Sequence, residues 1–318
     1  MCLGACIRVR RRCVVAWRSV VVSHPAKLRR EHYSLVVEQA QAARVPFEDI
    51  AVIVLNHREI TVTHPVLSAC GDYGIALFST GDNHQPNGVF TPYLPHSRAT
   101  RMLRLQLAID RPRAKRAWAE IVRAKITNQA ICLQLAGKDG NDRLDSYARR
   151  VRSGDTGRME AQAAAYYFSQ LLGRGFDRGL GIWANAALDY GYAVLRGAIT
   201  RGLIAHGLHP SIGLFHASEQ NAFNLADDLV EPFRPLVDLH VVTHRRPSGS
   251  ESQDLAAADK VALVALLNAD VRMPRGEMTV LAAVELATEA LARLYEGRGD
   301  EALELPRVIA LRQHRLDT

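Results

Sequence analysis

The 318-residue sequence has no apolar run approaching the roughly 20 residues that a membrane-spanning helix needs, so it offers no transmembrane segment. Cysteine is scarce. Cys2, Cys6, Cys13, Cys70 and Cys132 make neither a zinc-ligand spacing nor an even disulfide framework, and the chain reads as cytoplasmic with reduced thiols. Aromatic residues are only 6% of the chain, while alanine, leucine and arginine are plentiful, a balance that favours helices. Acidic side chains are the minority charge: 33 Asp and Glu against 40 Lys and Arg leave a net charge of +7. That excess suits a polyanionic partner such as nucleic acid. The glycine-rich loop at residues 173–181 lacks the Gly-Lys-Ser/Thr ending and the preceding strand of a nucleotide phosphate loop. No internal repeat is present.

What the chain does contain changes character along its length. In residues 1–16, Leu3-Gly4-Ala5-Cys6 resembles a lipoprotein cleavage box, but almost nothing apolar precedes it and the arginines follow it, so the segment is expected to be a disordered extension. Apolar and β-branched runs predict strands at 18–22, 50–55, 59–63 and 75–79, a short helix at 67–70, a helical stretch at 34–44 and a turn-rich segment at 80–88. Residues 17–92 therefore read as a small β-rich domain. From residue 93 the periodicity is helical, with helices at 97–109, 112–135, 158–172, 185–206, 256–267 and 278–296. A turn falls at 137–143, an exposed loop at 241–254 and a tail at 307–318. The fold class expected is α+β, with an all-α body over residues 93–306.

Two helices are basic. Arg98, Arg101 and Arg104 share one face of the first, and Arg113, Lys115, Arg116, Arg123 and Lys125 lie on the second. Such runs form either a solvated face or a phosphate-tracking one. The helix at 158–172 should bury a stripe at 161, 164, 165, 168, 171 and 172, and its only carboxylate, Glu160, sits where it would also compensate the helix dipole.

The stretch at 216–234, HASEQNAFNLADDLVEPFR, concentrates acid in a basic chain. Wound as a helix over 222–233 at about 100° per residue, it places Ala222, Leu225, Ala226, Leu229 and Phe233 on one face. Asn224, Asp227, Asp228 and Glu231 fall opposite. Hard oxygen ligands with His216 close by suit a divalent cation. An acidic surface helix with an unrelated histidine is the alternative. Ser211 and Ser218 lie near His216 but lack an arranged acid partner, which argues against a serine hydrolase.

Several segments, in order, carry a resemblance. NAALDYGYAVLRGAITRGLIAHGLHPSIGLFH at 185–216 and NLADDLVEPFRP at 224–235 resemble the CRISPR-associated integrase family, the DNA-joining subunit of spacer acquisition. WRSVVVSHPAKL at 17–28 resembles the family's first strand and turn, and VLNHREITVTHPVLSACGDYGIALFST at 54–80 its amino-terminal β-sandwich. WAEIVRAKITNQA at 118–130 is similar to the branch found in type II loci. One departure is Asp189 in Asp189-Tyr190-Gly191-Tyr192, where the family commonly has asparagine.

The resemblance implies a small amino-terminal β-sandwich that dimerises, followed by a larger all-α catalytic domain. It implies a DNA endonuclease and integrase using Mg²⁺ or Mn²⁺, with Glu160, His216 and Glu231 as catalytic residues and metal ligands and Asp228 as an additional acid. Arg245 and Arg246 are candidate DNA contacts. The implied partners are double-stranded DNA, a second copy of the chain, and a small second adaptation protein that bridges two dimers into a heterohexamer. In type II systems the effector nuclease and a DNA-end-binding protein join. A non-catalytic DNA-binding scaffold of the same complex is the rival reading, and a hydrolase of small phosphate esters a third.

Overall fold

The computed structural model describes residues 18–81, 86–93, 96–244, 254–297 and 302–314. The amino-terminal part runs β1 (Arg18–Val22), β2 (Ala26–Glu31), β3 (Ser34–Glu38), β4 (Ala43–Pro46), β5 (Ile50–Leu55), β6 (Ile60–Val62), α1 (His64–Tyr73), β7 (Ala76–Thr80) and β8 (Pro86–Phe90). These strands form two four-stranded sheets, ordered β1-β5-β7-β8 and β4-β3-β2-β6. β5 is parallel to both β1 and β7 and reads Ile-Ala-Val-Ile-Val-Leu because both of its faces are covered. Ile53 and Leu77 enter a core shared with Leu28 and Leu35 of the other sheet and with Val66 of α1. Val52, Val54, Ala76 and Phe78 instead join the core of the helical part.

Residues 34–44, expected as helix, are β3 and the start of β4. Leu35 and Val37 alternate into the inter-sheet core, a period of two that a helix would scatter. The Glu31–Ser34 pair is closed by His32, whose φ of 55° is the left-handed conformation of a tight hairpin. The turn-rich segment at 80–88 ends in β8, which pairs with β7.

The helical part runs α2 (Ala99–Leu107), α3 (Arg111–Leu135), α4 (Asn141–Arg150), α5 (Met159–Leu171), α6 (Trp183–Ala205), α7 (Asn224–Val230), α8 (Arg234–Thr243), α9 (Ala257–Ala265), β9 (Asp270–Met273), β10 (Gly276–Thr279) and α10 (Val280–Glu296). α3 is the central element. It starts on an Asp110 cap that accepts from the Arg113 N–H at 2.8 Å, with Pro112 in its first turn. It buries Trp118, Ile121, Val122, Ile126 and Leu133.

The body is not all-α. β9 and β10 form an antiparallel hairpin, and Arg307 and Gln313 of the tail bridge onto its strand β9 and the adjoining Ala269. Alternation of buried Val271 and Met273 with exposed Arg272 makes β9 a strand. α4 was not expected; its buried face is only Leu144, Tyr147 and Ala148. α5 buries Met159, Ala163, Tyr167 and Leu171, a stripe rotated from the expected one, while Ala161 and Ala165 are exposed. Tyr167 turns that face inward, because its hydroxyl must reach a buried carboxylate on α8.

Candidate active site

α7 is short, and two of its polar side chains are spent on the loop before it. Asn224 donates to the carbonyls of Ser211, Ser218 and Asn221 at 3.1, 2.9 and 3.2 Å. One turn later, Asp228 is fully buried and accepts four hydrogen bonds. Its Oδ2 takes the N–H groups of Leu214 (2.6 Å) and Phe215 (3.1 Å), and its Oδ1 takes the His216 N–H (3.1 Å) and His216 Nδ1 (2.7 Å). Gly213 is needed for this close wrap. A Cβ there would lie 2.2 Å from the His216 carbonyl oxygen and 2.9 Å from Asp228 Oδ2.

The hydrogen bond from Asp228 is the main cause raising the His216 pKa above its ordinary value; burial opposes it, and the charges of Asp228, Glu231 and Asp227 add to it. In the neutral ring, with Nδ1 protonated toward Asp228, Nε2 is the free lone pair, the arrangement metal-ligating histidines use. The imidazole edge meets Trp118 and Phe215, each at 5.7 Å. Phe215 stacks on Trp118 at 4.3 Å and is as a residue 52% exposed, beside the histidine.

Glu231 follows α7, where Pro232 breaks the ladder before α8 begins. It is 4% exposed. Arg234 Nε lies 3.2 Å from its Oε1. Lys125 Nζ, from α3, lies 2.5 Å from its Oε2, a close ion pair between two buried groups. The same ammonium donates to Glu160 Oε1 at 2.7 Å. Glu160 does not cap its own helix. Asp155 does, accepting from the N–H groups of Met159 and Glu160 at 2.9 Å each. Burial alone would push Glu231 up and Lys125 down. Their mutual charge, with Arg234 and Glu160, outweighs it, holding the carboxyl below its usual value and the ammonium above.

The expected site residues thus fall in two adjoining groups: Glu160 and Glu231 on Lys125, and His216 on Asp228. Among the described residues, no three His, Cys, Asp or Glu side chains stand close enough to share one metal ion as placed. The donor set still fits a hard divalent cation: two carboxylates already converge on one positive charge, and beside them a histidine has its Nδ1 on a buried carboxylate, which leaves Nε2 for a ligand. Asp227 is half-buried, held by Asn221 Nδ2 at 2.7 Å and facing Arg196. Arg245 and Arg246 lie outside the described residues.

Sequence reasoning missed Lys125, read with the basic face of its helix, and the support behind Glu231. The signal for Lys125 was Lys125-Ile126-x-Asn128-Gln129, polar residues one turn apart inside a buried stretch. Asn128 donates to the carbonyls of Pro232 (2.7 Å) and Pro306 (2.9 Å) and so fixes α3 beside Glu231. Behind Arg234, 4.8 Å from its guanidinium, is the ring of Tyr192. The Tyr192 and Tyr167 hydroxyls both donate to Asp238 of α8.

A β-rich amino-terminal part, a helical body and a buried carboxylate pair beside an oriented histidine define a mixed α/β protein with a polar centre in its helical half. The sequence profile described as CRISPR associated protein Cas1 matches residues 19–173 and 183–271, and the chain belongs to that family. It is 39% identical over 308 residues to a CRISPR-associated endonuclease Cas1 of Neisseria meningitidis serogroup C (strain 8013), covering 95% of this chain and all of that one. The fold matches a casposase bound to integration product, with a TM-score of 0.73 and 18% identity over 90% of this chain and 92% of the other. It also matches a chain of a Cas6-RT-Cas1–Cas2 complex, with a TM-score of 0.65 and 18% identity over 89% of this chain and 35% of that longer one.

Proposed function

We propose that this protein is the DNA endonuclease and integrase of a CRISPR adaptation system, joining the 3′-hydroxyl of a short DNA fragment to a phosphodiester of the repeat. The observation that carries this reading is the convergence of Glu160, in the first turn of α5, and Glu231, at the end of α7, on the buried Lys125 ammonium beside an oriented histidine. Glu160, Glu231 and the Nε2 of His216 would hold Mg²⁺ or Mn²⁺. Held by these residues, a divalent cation would supply Lewis-acid activation of the attacking hydroxyl and charge neutralisation at the phosphate. Asp228 serves as the residue that fixes the His216 ring and tautomer, since all its accepting capacity is taken up by the loop and the imidazole. Arg234 orients Glu231 from behind.

The partners follow from the family. The relevant ones are double-stranded DNA, a second copy of the chain, and a small adaptation protein of the Cas2 kind joining two dimers into a heterohexamer. A type II effector nuclease is a further candidate. We read the two amino-terminal sheets, which share one core, as a sandwich serving dimerisation over residues 17–92, and residues 93–306 as the catalytic body. No described helix is long and apolar enough to cross a membrane, and the cytoplasm, where the DNA is, is the proposed location.

The test is strand joining. Purified protein is incubated with Mn²⁺, a labelled fragment and a supercoiled repeat plasmid, with His216→Ala as control. Joined product that disappears in the variant supports the integrase. DNA binding without joining in either protein would replace it with the scaffold.

A further inference from the structure

Lys125 occupies an unusual position for a lysine. Its side chain is 12% exposed and its ammonium contacts both carboxylates of the proposed metal site. Arg234 adds a second cation on Glu231. Lys125 and Arg234 together match the charge of the two carboxylates, while Asp227 and Asp238 also face Arg234. A divalent cation entering beside Lys125 would set two cations against each other on the same carboxylates in a buried place, where like charges repel strongly. Either the ammonium must withdraw or an anion must arrive. The anion available in the reaction is a DNA phosphate, and a lysine on a flexible four-carbon stem can exchange one anionic partner for another.

We infer that Lys125 is a counter-cation that holds Glu160 and Glu231 together and couples metal entry to DNA binding by moving from the carboxylates to a backbone phosphate. This rests on the metal-site reading above and adds to it. The protein alone would bind metal weakly, and the nuclease centre would load chiefly when DNA is present. Such coupling is reciprocal, so Mn²⁺ would tighten DNA binding by the same factor.

Mn²⁺ binding, read from the electron paramagnetic resonance signal of the free ion, tests this with and without a repeat duplex, after correction for ion bound by the duplex alone. Wild-type affinity should rise about tenfold on adding DNA, within the usual range of coupling between two sites. Lys125→Met should bind Mn²⁺ more tightly than wild type without DNA and gain little from it. The same DNA-linked gain in both proteins would overturn the inference. Should Lys125→Met not fold without metal, acetic anhydride footprinting of wild type decides. Lys125 should be protected without metal and become acetylated at saturating Mn²⁺. Labelling indifferent to Mn²⁺ would overturn the inference as surely. The double variant Glu160→Gln/Glu231→Gln separates the two levels: Mn²⁺ binding undiminished there sinks the metal site itself, whereas its loss there with unchanged Lys125 behaviour sinks only the coupling.

Discussion

At the scale of single residues, the centre depends on Asp228 doing a backbone's work. Its carboxylate replaces the loop's missing hydrogen bonds and the imidazole's partner at once. Asp228→Asn keeps the shape but cannot accept from four donors, and the hydrogen bond that chiefly raises the His216 pKa is weakened. Only neutral histidine ligates a metal, so with His216 as a ligand, as proposed, activity should rise with pH through its pKa. With that pKa lowered, the acid limb of the pH–rate profile for Mn²⁺-supported cleavage should move to lower pH in Asp228→Asn, while the plateau falls because the ring is less well aimed. A plateau loss with an unmoved acid limb would remove Asp228 from control of His216. His216, Asp228 and Glu231 stood out as candidates because a histidine and acids crowd one stretch, whereas Glu160, on a distant helix, became a candidate only through the family resemblance. The division of labour among the acids was not legible. Asp227, Asp228 and Glu231 look equivalent on a helical wheel, and only the loop at 211–218 folding back onto α7 separates an orienting carboxylate from one facing Lys125. Lys125 was illegible for the same reason: its partners are contributed by two other elements.

At the scale of elements, strongly periodic helices and the strand β5 were plain in the sequence, whereas β2, α4 and the β9–β10 hairpin were hidden by charge. β2 reads Ala-Lys-Leu-Arg-Arg-Glu and is a strand because two neighbours pair with it. The docking of sheet onto helix was also beyond the sequence. Phe78 of β7 presses on Gly197 of α6, where a Cβ would lie 1.8 Å from the ring's Cζ. Gly197→Ala should therefore destabilise by about 1–3 kcal/mol, as overpacked cores do, and Phe78→Ala by about 3–5 kcal/mol through its cavity. Combined, the two should be less harmful than their sum, and chemical denaturation of the four proteins measures the coupling. Strict additivity would mean the ring and the glycine do not share that space. A second junction joins α5, α6 and α8 through Asp238, whose carboxyl burial lifts to about 6 against the tyrosine hydroxyls and Arg234. A carboxyl that is higher in the folded state than its unfolded value near 3.9 binds protons more tightly when folded. Its contribution is fully present below that unfolded value and is lost as pH rises through about 6. Relative to Asp238→Asn, wild type should lose on the order of 2 kcal/mol of unfolding free energy between about pH 4 and pH 7. A constant difference between the two denaturation series would contradict a raised carboxyl.

For the whole molecule, the question is where the excess positive charge acts. Arg98 and the α2 arginines Arg101 and Arg104 are all exposed. α2 is not a detached surface helix: its buried Gln106 accepts the His209 N–H at 2.7 Å and donates to the carbonyls of His209 and Ile212. That grip lies just before Gly213 and the loop that carries His216. A basic face so attached is placed by the same contacts that place the histidine, so DNA phosphates held there would be in fixed register with the centre. Each phosphate neutralised releases counter-ions and adds about 0.9 to the slope of log affinity against log salt. Arg101→Ala should thus weaken duplex binding at low salt and reduce that slope by about 1, without changing the Mn²⁺ affinity of the free protein. Arg58→Ala, on an exposed loop of the amino-terminal sheets, should leave the slope unaltered. Titrations of both variants with a fluorescent repeat duplex between low and moderate salt separate the cases. An equal slope change in the two would mean that the +7 charge acts as a diffuse field over the surface, and that α2 has no privileged line to the site.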